Sequence, residues 1–279
     1  MSKRNKQKRN VPSTQHMVSY QPNNQVLDII IPVYGEFDFL DTCVSKIPEA
    51  VGDLKYRIMV IDNGSPDKER AKTFFETHPG ILRTTLQSNV GYPRACNILM
   101  SKCNSELVLL VTPDVWYQKD AIKVLYDKMK ADPQIGIMGP KLLFPEGSPW
   151  GPAGKIQHAG IEMSIEGNPV HEFIGWSVDH PKANIPCEVF ALTGATLMIR
   201  RSAWLKVGGY FEGYGTGTFE DVEMCLTVHE LGYKIMYEPT AVATHHVGAS
   251  KSQYNLQGNQ QVFMIRCGKM ILWTEWRRL

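Results

Sequence analysis

The chain has 279 residues, of which 43% are hydrophobic and 21% charged, ordinary proportions for a globular protein and enough to bury a substantial core. Its formal net charge is only +2, although five basic residues lie within the first ten positions. Without its basic ends the rest of the chain is close to neutral or slightly acidic, so a nucleic-acid partner is not indicated.

Residues 1–25 are polar and basic and lack hydrophobic periodicity, and we predict a disordered tail there. No apolar run approaches the roughly 18 residues of a transmembrane helix, and no apolar segment of the secretory type follows the basic start. The six cysteines form no CxxC pair, so free thiols in a reducing cytoplasm are favoured over disulfides.

Four predicted strands alternate with four predicted helices in the first half of the chain. The strands lie within 26–35, 56–61, 81–86 and 107–111, and the helices within 38–50, 68–76, 93–102 and 121–129. Ser65 or Asp67 is expected to cap the second helix. This alternation is typical of a doubly wound α/β sheet with a ligand crevice at the carboxyl edge of its strands.

Residues 107–111 are five consecutive apolar residues, which predicts a central strand buried on both faces. Pro113 cannot donate a ladder hydrogen bond, so the strand should end there. Asp114 then arrives at the ligand-binding edge of the sheet. Two interpretations of Asp114 are open: it binds a ligand, or it only caps the helix that follows.

The second half of the chain changes character. Residues 140–186 contain seven prolines and show weak periodicity, and we predict a long loop region there. Further elements are expected as two strands within 187–200, a helix from 202 to 208, a helix from 219 that Gly232 ends, and short strands over 234–237 and 240–244. The last strand leads directly into His245 and His246.

Side chains that can carry chemistry form three clusters at predicted sheet edges or helix starts: Asp114, Glu220 with Asp221, and His245 with His246. Each cluster has an ordinary explanation alone, because acids cap helices and paired histidines are often structural. Together they indicate a carboxylate and an imidazole that hold Mg²⁺ or Mn²⁺, with phosphate oxygens completing the shell. Neither GxGxxG after the first strand nor GxxxxGKS/T occurs, so a glycine-rich phosphate loop is not predicted.

A series of short motifs, in order along the chain, resembles glycosyltransferase family 2, the inverting nucleotide-sugar transferases with the GT-A fold. The motifs are IIIPVY (29–34), VIDNGS (60–65), NVGY (89–92), LVTPD (110–114), IQHAG (156–160), LTGA (192–195), GGYF (208–211), FEDVEMC (219–225) and HHVGAS (245–250). The resemblance spans residues 27–252 and is strongest to members that build rhamnose-containing or other surface polysaccharides. It implies an α/β fold with a mostly parallel central sheet flanked by helices.

The resemblance also implies a donor site for a nucleotide-diphosphate sugar. Residues that would line or shape this site are Pro32, Val33 and Tyr34 around the nucleobase, Asp62 as acceptor of hydrogen bonds from the base, and Asn89, Gly91 and Arg94 on the donor side. Asp221 matches the acid that the family uses as general base, with Glu220 beside it. No chemical role is assigned to His158 in the IQHAG motif.

For the metal ion, Mn²⁺ or Mg²⁺, the resemblance implies that Asp114 is the last acid of the family's DxD motif. Thr112 stands where many members carry an acid or amide, so a second ligand has to come from elsewhere. His245 and His246 are both candidates, and the spacing of His245 to Ser250 fits the family better.

We therefore expect a GT-A domain over 26–255, with a nucleotide-binding half at 26–135 and an acceptor and catalytic half at 136–255. Its expected partners are a nucleotide sugar and a glycan or glycoconjugate acceptor, and the sequence predicts no particular oligomeric state. An amphipathic segment at 256–279 either packs on this domain or gives, with the basic termini, peripheral contact with a membrane. The expected location is the cytoplasm.

Two other functions stay open. A sugar nucleotidyltransferase lacks support, because no glycine-rich loop with Arg and Lys follows the first strand. A catalytically inactive nucleotide-sugar-binding module is disfavoured by the joint presence of several acids and a histidine in the family motifs. The glycine-rich stretch 213–217 is either a hinge over the donor or a surface turn, and Trp150, Trp176 and Tyr214 either stack on sugars or pack in the protein.

Overall fold

The computed structural model describes residues 25–164, 168–247 and 255–276, the last five of these by their backbone only. The basic tail up to residue 24, Ser250 and the last three residues lie outside this range. The described residues form these strands: β1 (Leu27–Val33), β2 (Tyr56–Asp62), β3 (Leu82–Thr85), β4 (Leu107–Val111), β5 (Val115–Tyr117), β6 (Ile135–Leu143), β7 (Ile156–His158), β8 (Ile161–Met163), β9 (Pro169–His171), β10 (Cys187–Glu188), β11 (Thr196–Arg200) and β12 (Lys234–His245).

The α-helices of the described residues are α1 (Phe37–Val51), α2 (Lys68–Thr77), α3 (Tyr92–Met100), α4 (Ala121–Ala131), α5 (Arg201–Val207), α6 (Glu220–Glu230) and α7 (Leu256–Trp276). Local chemistry explains several of their ends. The carboxylate of Asp67 accepts the N–H of Arg70 at the start of α2, as the sequence predicts. Gly208 adopts φ +89° directly after α5, the left-handed conformation that ends helices.

One sheet runs through most of the described chain, in the order β10–β12–β6–β11–β4–β1–β2–β3. β1 to β4 pair in parallel, and β11 enters antiparallel between β4 and β6. Because β12 pairs in parallel with β6, its carboxyl end lies on the same edge as that of β4. The predicted α/β fold is confirmed, and its topology brings Asp114 and His245 to one edge.

β4 is the centre of this sheet, as the sequence predicts. All five of its residues are buried. Val108 and Leu110 pack into the core on one face, and Leu107, Leu109 and Val111 into the core on the other. Both faces of the strand are therefore covered, so the continuous apolar run is explained by burial rather than by helix formation.

One of the two open interpretations of Asp114, and one expectation for the second half of the chain, are wrong. Asp114 does not cap α4, because β5 intervenes and α4 starts at Ala121 without a side-chain cap. Residues 140–186 are not a plain loop region, since β6 continues through Pro140 to Leu143 and further short strands follow it. The signature of β6 was hidden because Gly136 and Gly139 interrupt its apolar pattern. A Cβ at Gly136 would lie 2.5 Å from Val228 Cγ1, so close helix packing requires the glycine there.

Two further findings concern the cysteines and membrane-spanning helices. All six cysteines carry free thiols, which confirms the preference for thiols over disulfides. Among the helices of the described residues, none combines the length and apolarity that crossing a bilayer would need.

Candidate active site

A cavity of about 430 Å³ opens at the carboxyl edge of β1 and β4, a size typical of small-ligand sites. It is lined by nine of the residues that the sequence singles out: Pro32, Val33, Tyr34, Asn89, Thr112, Asp114, Glu220, Asp221 and His245. The other four candidates, Asp62, Gly91, Arg94 and His246, are not part of this lining.

Asp62 lies buried at the end of β2, only 1% exposed. One of its carboxylate oxygens accepts the N–H of Ser65 at 2.8 Å, and the other has no hydrogen-bond partner among the described residues. Arg94 lies on the surface instead, with its side chain more than half exposed and 3.8 Å from the carboxylate of Glu212. The structure thus buries one of these two donor-site candidates and leaves the other on the surface.

Asn63 is a cavity residue to which sequence reasoning gave no role. Its amide donates to Asn89 Oδ1 at 3.0 Å and to the Gly91 carbonyl at 3.3 Å, and its own side-chain oxygen accepts the N–H of Val90. These bonds join the end of β2 to the loop before α3. The VIDNGS motif contained Asn63, but only the structure shows that its side chain organises the neighbouring NVGY motif.

Asp114 and His245 face each other at the end of the cavity formed by β4 and β12. The Oδ2 of Asp114 lies 3.6 Å from the Nε2 of His245, and its Oδ1 accepts the hydroxyl of Thr112 at 2.6 Å. Burial of Asp114 acts to raise its pKa, but the interaction with His245 and the bond from Thr112 outweigh burial and hold the pKa below its usual value. Asp114 is therefore a permanent anion at neutral pH.

Gln157 fixes the tautomer of His245. Its Nε2 donates to the backbone carbonyl of His245 at 3.0 Å, so its Oε1 must face the imidazole Nδ1, 2.7 Å away. Because an amide oxygen only accepts, Nδ1 carries a proton, and Nε2 is the ring nitrogen that faces Asp114 and that a metal ion would take as its ligand. The IQHAG motif contained Gln157, but its role depends on a contact across 88 positions of sequence that no local pattern reveals.

His246 points elsewhere. Its ring packs 3.9 Å from the ring of Trp116 and 5.5 Å from that of Phe39, and burial lowers its pKa. Only its backbone meets the site, where its N–H donates to the carbonyl of Asp114. Of the two adjacent histidines, the structure brings His245 to the acid and His246 into an aromatic cluster.

The metal-ligating groups of the described residues nowhere form a set of three or more His, Cys, Asp or Glu side chains. Asp114 and His245 supply a carboxylate oxygen and an imidazole nitrogen, close enough to share one ion. Such a pair suits Mn²⁺ or Mg²⁺ when further ligands come from a diphosphate and water. The residues therefore fit a cation that binds together with its nucleotide rather than in a closed protein cage.

A second acidic pair faces the cavity from the start of α6. Asp221 accepts the N–H of Gly194 at 2.7 Å on one oxygen and the N–H of Val222 at 2.8 Å on the other. Glu220 is 6% exposed, and its Oε2 lacks a hydrogen-bond partner among the described residues. Burial, with the adjacent charge of Asp221, raises the pKa of Glu220 to about 8, and burial raises the pKa of Asp221 as well.

The loop before α6 is strained. Thr218 and Phe219 adopt φ values of +90° and +68°, a region that costs a non-glycine residue of order 1–3 kcal/mol. The preceding turn also packs tightly, since a Cβ at Gly91 would lie 1.9 Å from the carbonyl oxygen of Gly215. Contacts from elsewhere must hold this loop in place.

Glu36 is a second cavity residue that sequence reasoning missed. It is partly buried between β1 and α1, and its Oε2 accepts the N–H of Tyr34 at 3.3 Å. Burial first, and then the charge of Asp114, raise the pKa of Glu36 to about 7. Since Glu36 follows the IIIPVY motif by only two residues, its position in the motif's loop was the available signal.

The three aromatic residues considered for sugar stacking differ in their burial and in their contacts. Tyr214 is buried and donates its hydroxyl to Glu223 at 2.6 Å. Trp176 packs edge-on against Phe173 and His180. Trp150 is 64% exposed at the cavity, so it is the member of this set that offers a free ring to a ligand.

Comparisons with known proteins agree with the family resemblance of the sequence motifs. A model of the family described as glycosyl transferase family 2 matches residues 28–202. An uncharacterized protein of Sinorhizobium fredii is 26% identical over 233 residues, and the match covers 81% of this chain but only 25% of that protein. The N-acetylglucosaminyl-diphospho-decaprenol L-rhamnosyltransferase of Mycobacterium tuberculosis is 25% identical over 242 residues, covering 79% of this chain and 76% of that enzyme.

Among solved structures, this chain is similar to GalNAc-T7 crystallised with UDP, GalNAc and Mn²⁺. The TM-score is 0.68 at 16% identity, with 88% of this chain and 49% of that chain covered. At this identity the likeness concerns the fold, and it confirms the predicted architecture.

Proposed function

Because the chain belongs to glycosyltransferase family 2, we propose that it transfers a sugar from a nucleotide-diphosphate sugar to a hydroxyl of a glycan or glycoconjugate acceptor, with inversion at the anomeric carbon. The observation that carries this proposal is the convergence of two acidic groups on one cavity. Asp114 beside His245 suits the diphosphate end of a donor. Asp221 beside Glu220 suits an attacking hydroxyl.

On the donor side, Asp114 and His245 would hold Mn²⁺ or Mg²⁺ against the diphosphate. When bound, such an ion offsets the charge that develops on the leaving nucleoside diphosphate. The bond from Thr112 keeps Asp114 oriented as an anion, and the bond to Gln157 keeps the Nε2 of His245 available as a ligand.

On the acceptor side, Asp221 serves as the general base. The acceptor oxygen attacks the anomeric carbon while the bond from that carbon to the diphosphate breaks, and the hydroxyl proton passes to the carboxylate of Asp221. Burial and the adjacent Asp221 raise the pKa of Glu220 to about 8, which favours the protonated form of Glu220 at neutral pH and leaves Asp221 as the proposed base. A single displacement without an enzyme nucleophile inverts the configuration of the sugar.

The exposed ring of Trp150 lines the same cavity as the acidic pair. Aromatic rings of this kind suit the apolar face of a sugar, which supports a glycan or glycoconjugate as acceptor. The name of the mycobacterial relative specifies a lipid-linked sugar diphosphate, and this supports an acceptor of the glycoconjugate type.

Peripheral membrane contact also stays a proposal. On the described part of α7, Leu256, Met264 and Ile265 are exposed, and Arg277 and Arg278 follow the helix in the sequence. Exposed apolar residues on a helix that leads into two arginines suit an anionic lipid surface. Cosedimentation with vesicles that contain anionic lipids, compared with neutral vesicles, tests this contact.

The first experiment is a thermal-shift screen of nucleoside diphosphates and their sugars, with and without Mn²⁺. The cognate donor should raise Tm more with the metal than without it, because binding to the folded state adds stability. Transfer is then measured for wild type, Asp221→Asn and, as control, Asp53→Asn, whose side chain is 85% exposed. We expect Asp221→Asn to lose transfer by several orders of magnitude while it keeps the thermal shift.

The outcomes separate the competing functions. Full transfer by Asp221→Asn would refute the assignment of the base. Donor binding by wild type without transfer to any tested acceptor would favour an inactive binding module. Release of pyrophosphate from a nucleoside triphosphate and a sugar phosphate would instead identify a nucleotidyltransferase.

A further inference from the structure

α7 contributes a buried amide to the active-site loop. Asn259, 5% exposed, lies with its Nδ2 within hydrogen-bond distance of the Tyr214 carbonyl (2.9 Å), the Gly217 carbonyl (2.8 Å) and the Thr218 hydroxyl (2.8 Å). These three acceptors belong to consecutive turns of one loop. An amide that presents two N–H groups to them holds the loop at both of its ends.

The loop that Asn259 holds is the strained lead into α6. Gly217 and Thr218 line the cavity, and Thr218 and Phe219 both adopt positive φ. Such a conformation persists only where surrounding contacts over-determine it. Because Glu220 and Asp221 follow directly, the orientation of this loop also sets the direction in which the acidic pair faces.

A second tie connects the same two elements. The guanidinium of Arg266 on α7 meets the carboxylate of Glu223 on α6 through bonds of 2.6–3.0 Å, and Glu223 also accepts the hydroxyl of Tyr214. One turn before Arg266, the ring of Phe263 stacks on that of Phe219 at 5.1 Å. α7 thus packs against the first turn of α6 and against the loop before it.

We propose that Asn259 is a positioning residue: through the loop over 214–218 it aims the acidic pair Glu220 and Asp221 at the cavity, so that the C-terminal helix is part of the active-site structure. The catalytic consequence rests on the proposed transferase function. The positioning itself does not, because it concerns the conformation of the loop.

The test is the isosteric change Asn259→Asp, which keeps the shape of the side chain and replaces its donor group with an oxygen. The matched control is Asn255→Asp, four residues earlier, where the side-chain oxygen accepts the N–H of Gly258 and a carboxylate can do the same. Both variants add one negative charge near the start of α7, but only the carboxylate at 259 is buried against the oxygens of the loop, so their difference measures the loss of the contact between Asn259 and the loop.

Two readouts are compared in the full-length protein. Hydrogen exchange of the amides within 213–221 should become at least about tenfold faster in Asn259→Asp, while β1 and β4 keep their protection. With the nucleotide-diphosphate sugar that gives the largest thermal shift, kcat should fall roughly tenfold or more, since small misalignments of a catalytic group are costly. Asn255→Asp should match wild type in both.

Unchanged exchange within 213–221 would overturn the proposal, and so would faster exchange spread equally over β1 and β4, which would mean general destabilisation. A kcat equal to that of Asn255→Asp would overturn the catalytic part. If wild type transfers no sugar, the proposed function fails, and the exchange comparison decides the positioning role alone.

Discussion

The raised pKa of Glu220 should appear as a pH dependence of stability that one substitution removes. Glu220 is buried next to Asp221, and its pKa rises from 4.5 to about 8. Between these values the folded protein holds a proton that the unfolded chain has released. Stability is therefore lost as pH rises toward 8, and Glu220→Gln, which keeps the shape but cannot ionise, should lose less.

The size of the effect follows from the two pKa values of Glu220. Each unit of difference between folded and unfolded states corresponds to about 1.4 kcal/mol. Between pH 5 and pH 8 the wild type should therefore lose roughly 3 kcal/mol more of its free energy of unfolding than the Gln variant, which has no carboxyl group at this position. For a chain of this size that difference corresponds to about 6–12 °C in Tm.

The assay is thermal unfolding of wild type and Glu220→Gln across this pH range, with a chelator present. His158 and His171 have pKa values lowered by burial, so they make stability rise with pH toward 6.5 in both proteins, and their contribution cancels in the difference. Glu146→Gln, an exposed loop substitution, is the control and should follow the wild-type curve. Parallel curves for wild type and Glu220→Gln would refute the reasoning.

Two further predictions concern hydrogen bonding and backbone strain at the site. Gln157→Leu removes the partner of the His245 Nδ1, and calorimetric titration with Mn²⁺ and the cognate nucleoside diphosphate should give an affinity lower by about 10- to 100-fold; an unchanged affinity would contradict the tautomer argument. Gly91→Ala adds a Cβ at φ +88°, 1.9 Å from the Gly215 carbonyl oxygen, and should lower the free energy of unfolding by about 2 kcal/mol or more. Gly35→Ala, at φ +89° with nothing within 4 Å of the new Cβ, measures the φ strain alone, so equal losses in the two variants would refute a clash at Gly91.

Much of the fold could be predicted from the sequence, because local signals and burial agree in its first half. The apolar run 107–111 and the Pro at 113 each have one physical meaning, and the structure bears out the strand and its end. Asp67 was one of two predicted caps of α2, and it is the one that caps this helix. β6 was missed because glycines that allow close packing also erase the strand pattern. A loop and a buried strand with Gly and Pro cannot be separated by composition alone.

The sequence predicts which residues of the candidate site reach the edge of the sheet, but not the contacts that their side chains make there. Asp114 and His245 lie at one edge of the sheet because β4 and β12 both end there. Which of two adjacent histidines turns inward depends on packing against Trp116 and on the bond from distant Gln157. Such long-range contacts leave no periodic signal, and Asn259 was missed for the same reason.

The environment tunes the acids of this cavity in opposite directions. Burial acts to raise the pKa of Asp114, yet that pKa is lowered because His245 and the Thr112 hydroxyl face the carboxylate. Burial also raises the pKa of Asp221, and there the backbone N–H groups of Gly194 and Val222 do not outweigh it. A group that must stay charged beside a diphosphate needs the first environment, and a group that must take up a proton needs the second. The surroundings of each carboxylate therefore support the proposed roles on grounds that do not depend on the motif that contains it.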